Sequence, residues 1–135
     1  MCLILDANMY GLYVNKHEDM CPARKWVEAE GKIAYSPTEK FAKELHTGRM
    51  KDTFAEYRRS GKLKKIDKEE VEQKEKDLTG LKSDDPHIIA LAIVGKVKLL
   101  VSADEDLHTD FKNIVGGKVY QNAQHKRLLK ADTCP

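Results

Sequence analysis

The sequence predicts an α/β domain with a central parallel sheet of about five strands flanked by helices, and three observations carry that expectation. Short apolar runs alternate along the chain with segments whose apolar residues fall at helical spacing. Acidic residues stand where several of those runs give way to helices. Proline, glycine and capping residues punctuate the joins.

The first run, Cys2 to Leu5, ends at Asp6. Pro22 opens a helix that carries Trp26 and Val27, and Lys32 to Tyr35 forms the second run. Ser36-Pro37-Thr38-Glu39 then has the order of a capping box: a capping serine, a proline at the first helical position and a glutamate at the third. Phe41, Ala42 and Leu45 give the helix that follows its apolar side. Leu63 to Ile66 is the third run. Asp67 with Glu70 caps a helix running to about Leu78, and Gly80 suits its exit. Asp85-Pro86 opens a helix with Ile88, Ile89, Leu91 and Ala92. Val97 to Val101 is the fourth run, Asp104 starts a helix through Leu107 and Phe111, and Lys118 to Tyr120 is the fifth run. Gly31, Gly61, Gly95 and Gly117 lie between or beside these elements.

At 135 residues the chain fits one domain, 1–135. A hydrophobic fraction of 41% and a charged fraction of 34% describe a soluble protein, with no run near the roughly 18 apolar residues of a membrane span. The three cysteines, Cys2, Cys21 and Cys134, lack CxxC spacing and read as neither a disulfide framework nor a zinc knuckle. With no signal peptide or transit segment at the start, a reducing cytoplasm is the expected setting. The net charge of +2 conceals a basic stretch of Arg49, Lys51, Arg58, Arg59, Lys62, Lys64 and Lys65. Such a stretch reads first as two solvated helix faces and second as a phosphate contact.

In a parallel α/β sheet the ligand site lies beyond the carboxyl ends of the strands. Asp6 and Asp104 each follow an apolar run, and Asp85 precedes a helix, so all three are placed to share one crevice. Converging carboxylates repel by roughly 3 kcal/mol per pair at 5 Å and an effective dielectric near 20, which calls for a cation among them. Helix capping accounts for Asp85 and Asp104 individually. Glu44 sits inside its helix with Glu39 as the rival glutamate, and Asp84 rivals Asp85. His17, His46, His87, His108 and His125 lack HxxxH or His/Cys spacing, which argues against zinc. Oxygen ligands favour magnesium or manganese. No GxGxxG, GxxxxGK[ST] or GxSxG loop is present.

Taken in order, LILDANMYG, FAKEL, DPHIIALA and LLVSADEDL resemble the acidic motifs of the PIN domain family, metal-dependent nucleases that include the VapC-type toxin ribonucleases. That resemblance implies Asp6, Glu44, Asp85 and Asp104 as the acidic quartet, Asp106 as an accessory metal ligand, and Asn8 and Ser102 as polar supports. It implies hydrolysis of RNA phosphodiesters, with DNA as the alternative substrate, by one or two ions of Mg2+ or Mn2+. Arg58, Arg59, Lys62, Lys64 and Lys65, or Lys126 and Arg127, would then hold the nucleic-acid backbone. An antitoxin partner and a homodimer are further implications.

Three other enzyme classes cluster carboxylates differently. A phosphotransfer receiver wants an acidic pair near the first strand, a haloacid dehalogenase-like phosphatase wants D-x-D where this chain has D-A-N, and a Toprim enzyme wants a glutamate in place of Asp6. A PIN-like module that binds without cleaving is the non-enzymatic alternative.

Overall fold

In a computed structural model of the chain, residues 1–47 and 49–135 are described. Five parallel strands form one sheet: β1 Cys2–Leu5, β2 Lys32–Tyr35, β3 Leu63–Lys65, β4 Leu99–Val101 and β5 Lys118–Tyr120. Their spatial order is β3-β2-β1-β4-β5. The register sets Leu3 beside Ile33, Ile33 beside Leu63, Ile4 beside Leu100 and Leu100 beside Val119. β1 is central and wholly buried, which is why it reads as an unbroken apolar run.

The helices divide between the two faces. A 3-10 turn (Ala7–Met9), α1 (Tyr10–Val14), α2 (Cys21–Ala29), α3 (Glu39–Thr47) and α4 (Lys51–Ser60) supply one side. There Leu3, Leu5, Ile33 and Tyr35 pack with Tyr13, Trp26, Val27, Phe54 and Tyr57. On the other side α5 (Lys68–Asp77), α6 (Pro86–Gly95) and α7 (Glu105–Asp110) meet Cys2, Ile4, Ala34 and Leu100 through Val71, Ile88, Ile89, Leu107 and Phe111. A single turn of π-helix, Phe111–Val115, prolongs α7. The chain builds outward from β1 through β2 to β3, then crosses back to β4. The reversal places a topological switch point between the carboxyl ends of β1 and β4, where crevices form in such sheets.

The structure ends the third strand at Lys65, one residue before the expected Ile66, and revises three further local expectations. The serine of Ser36-Pro37-Thr38-Glu39 does not cap: Thr38 Oγ1 accepts the Phe41 amide at 3.2 Å, and α3 begins at Glu39. A tight turn, closed by the Thr38 amide donating to the Ser36 carbonyl, holds Ser36 and Pro37 ahead of the helix. The fourth strand starts at Leu99 because the Val97 amide is spent on the Ala92 carbonyl at the end of α6. Finally, Cys2 and Cys134 form a disulfide with their Cα atoms 5.7 Å apart, leaving Cys21 free. A separation of 132 residues hid the pairing, which arises because the last residues fold back to the start of the sheet. Thr133 anchors that return: its Oγ1 accepts the Cys2 amide and its carbonyl the Lys98 amide. Among the described residues no helix is long and apolar enough to cross a membrane.

Candidate metal centre

β1 ends and the chain turns at Asp6, whose amide still donates to the Val101 carbonyl of β4. That bond fixes Asp6 at the switch point, 4% exposed. β4 continues into Ser102, fully buried, whose hydroxyl donates to Asp6 Oδ2 at 2.7 Å and accepts the Asp104 amide at 3.1 Å. One serine thus joins two of the predicted acids. Asp104 Oδ1 is committed to the amides of Asp106 and Leu107 at the start of α7, which leaves Oδ2 outside the cap.

Asp85 stands at the start of α6, but its carboxylate makes no capping hydrogen bond. Pro86 follows it at the first helical position, and the Asp85 side chain does not take the capping role that the sequence suggested. A carboxylate on the next helix positions this turn. Asp110, 4% exposed, accepts the amides of Lys82 at 3.0 and 3.1 Å and of Ser83 at 2.8 Å.

Glu44 reaches the same place from α3. Its Oε1 lies 2.9 Å from Nε2 of His87, and Glu44, Asp85 and His87 present ligand atoms all within 4.8 Å of one another. Glu39 is exposed and faces a different surface, with Lys43, Glu72 and Glu75, and Asp84 is exposed beside the half-buried Asp85. The geometry therefore selects Glu44 over Glu39 and Asp85 over Asp84 as members of the group. Asp106 is exposed and contributes no atom to it; Asn8 is exposed on the turn after Asp6.

Electrostatics binds these groups into one neighbourhood. Burial pushes the Asp6 carboxyl up to about 6, with the Ser102 hydroxyl opposing and the charges of Asp85 and Glu44 adding to the rise. Asp85 is raised chiefly by burial; His87 opposes, Glu44 and Asp104 reinforce, and Lys40 opposes. Tyr10 is raised by burial and then by Glu44 and Asp6, so its ring borders the same cluster. Among the described residues none of the four acids has a Lys or Arg partner within 4.0 Å; His87 on Glu44 is their single ion-pair contact. The donor set, two carboxylates and an imidazole with two further carboxylates close by, fits a divalent cation. Beside it lies a small cavity of about 30 Å³ lined by Tyr10, Ser36, Thr38, Glu44 and His87 among apolar side chains. Ser36 Oγ and His87 Nδ1 are buried there without a partner among the described residues.

His87 and Tyr10 are the members that motif reading passed over. The signal for His87 was D-P-H at a helix start, which sets two polar side chains within one turn of an otherwise apolar helix.

The basic stretch is divided by the fold. Arg58 lines an apolar groove with Tyr35, Pro37, Phe41, Leu45 and Lys51, alongside the helix that carries Glu44. Lys64 is on the opposite face of the sheet, where its ammonium donates to the Pro135 carbonyl at 3.0 Å. Arg59, Lys65, Lys126 and Arg127 are exposed, and Lys62 is half-buried. No family model, no curated protein and no solved structure matches the chain.

Proposed function

We propose that the chain is a divalent-metal-dependent nuclease of the PIN type, and that it hydrolyses phosphodiester bonds of RNA. The observation that carries this reading is the grouping of Glu44 and Asp85 with His87, the charges of Asp6 and Asp104 acting on the same groups, with no Lys or Arg within 4.0 Å of the four acids among the described residues. Folding four carboxylates toward one another stores repulsion that a bound cation relieves.

A divalent cation supplies Lewis acidity toward a phosphate oxygen and the attacking water. The chain's own groups set the stage for it. Ser102 fixes the rotamer of Asp6, the backbone amides of α7 fix Asp104, and Asp110 fixes the turn that presents Asp85. Tyr10, Leu5 and Ile88 line the cavity on the inner side of Glu44. Arg58 and Lys51 line the groove beside α3 and would take backbone phosphates, with Tyr35, Phe41 and Leu45 offering apolar contact to a base or ribose. Lys64, engaged with the chain end, is the weakest of the five basic residues for that task.

This reading takes Mg2+ or Mn2+ as the ion class, RNA as the substrate, a small antitoxin and a second copy of the chain as protein partners, and the cytoplasm as the setting. Incubation of labelled single- and double-stranded RNA and DNA with magnesium, manganese or chelator tests it. Cleavage that needs the metal and disappears in Asp6→Asn is expected. Cleavage of DNA alone reassigns the substrate, and metal-independent cleavage or an Asp6→Asn variant as active as the parent rejects the centre.

A further inference from the structure

We propose that His87 is a direct metal ligand, so that the centre takes a first-row transition ion such as Mn2+, Co2+ or Zn2+ in preference to Mg2+. This rests on the metal-centre reading above and narrows it. Magnesium is a hard ion that holds oxygen ligands and water, whereas an imidazole nitrogen adds affinity for transition ions, rising from manganese through cobalt to copper and falling back at zinc.

His87 is set apart from an ordinary core histidine by where it sits and by which ring nitrogen faces the acids. It occupies the second position of α6, where Ile88, Ile89, Ala90, Leu91 and Ala92 are buried around it. Its side chain is 7% exposed, and Nδ1 has no partner among the described residues. Among the described residues the ring's single hydrogen-bond contact joins Nε2 to Glu44, so Nε2 is the nitrogen that faces the carboxylates. The spacing suits shared ligation as well as a hydrogen bond. Two donors each about 2.1 Å from one ion and at right angles to it lie about 3 Å apart, against 2.9 Å between Nε2 and Glu44 Oε1. The oxygen of Asp85 comes within 4.8 Å of both, and that carboxylate has no capping duty to hold it elsewhere. A second buried polar group, the Ser36 hydroxyl, lines the same cavity without a partner among the described residues, as expected beside a site built for a polar occupant.

Pulsed electron paramagnetic resonance of the full chain loaded with Mn2+ tests the assignment directly. The parent is expected to show modulation from one directly bound 14N. That signal should disappear when the histidines alone are labelled with 15N, and when His87→Gln is loaded with manganese. Calorimetric titration should give manganese at least tenfold tighter binding than magnesium in the parent, with the ratio falling toward one in His87→Gln. Bound manganese with no nitrogen modulation, or a His87→Gln variant that weakens both ions equally, overturns direct ligation and leaves His87 a positioning residue for Glu44. No manganese binding to the parent rejects the metal centre itself, and the proposal with it. The labelled parent decides the matter even where His87→Gln fails to fold.

Discussion

Ser102, the first residue past β4, donates its hydroxyl to the carboxylate that ends β1: Oγ to Asp6 Oδ2, 2.7 Å, between residues 96 apart in sequence. This bond crosses the switch point and holds Asp6 in its charged form against the burial that opposes it. Ser102→Ala removes the donor, so the Asp6 carboxyl moves further up and its rotamer loosens. The expected result is a loss of stability of about 1–2 kcal/mol and a roughly tenfold weaker manganese affinity, as for other groups that orient ligands. Urea unfolding and calorimetry read the two effects; an unchanged affinity contradicts the orienting role.

Asp6→Asn separates stability from activity. With its folded carboxyl at about 6, above the usual 3.8, Asp6 binds its proton more tightly in the folded chain. Stability therefore declines as pH rises from about 4 through 6, and the cost is complete above 6. A shift of this size is on the order of 3 kcal/mol. In chelator, Asp6→Asn should be more stable than the parent at pH 7, nearly equal at pH 4, and inactive with metal restored. Denaturant melts at four pH values check the sign, and a variant less stable at pH 7 would falsify the burial argument.

Asp85→Asn gives a complementary result. Because the carboxylate makes no capping bond, its charge contributes repulsion and little structure. A melting temperature equal to or above the parent's is expected, with cleavage reduced by 100-fold or more. Loss of folding would show that Asp85 supports α6 after all.

Asp110 acts one layer behind. Burial alone would raise its carboxyl, but the amides of Lys82 and Ser83 overcome this and hold it below the ordinary value. A depressed carboxyl stabilises the fold above the usual 3.8 and gives up that contribution as pH falls through its own, lower value. Asp110→Ala strands the amides of Lys82 and Ser83, the latter buried, at a cost of about 1–3 kcal/mol. Hydrogen exchange at Lys82 and Ser83 should accelerate, and protection at the parent's level counts against the contact.

The strand runs were legible because each is short, apolar and bounded by chain-reversing residues, and β1 and β2 match the sequence reading residue for residue. Helix starts were less so. Asp67 caps through its side chain, accepting the Glu70 amide as the spacing implied, whereas Ser36 does not, because Thr38 stands one residue before α3 with the same chemistry. The acidic residues were visible as types at joins, but capping and clustering use the same aspartates. Only three-dimensional proximity separates Asp104, which caps, from Asp85, which does not. His87 and the Cys2–Cys134 pair lay beyond local reading altogether, since their partners are 43 and 132 residues away.

That last pairing bears on how the molecule can be handled. β1 runs from Cys2 toward Asp6, so both chain ends meet at the pole of the sheet opposite the carboxylates. A tag or fusion partner at either terminus leaves the crevice clear. Chain added beyond either cysteine departs from that far pole, with the acids still gathered at the crevice.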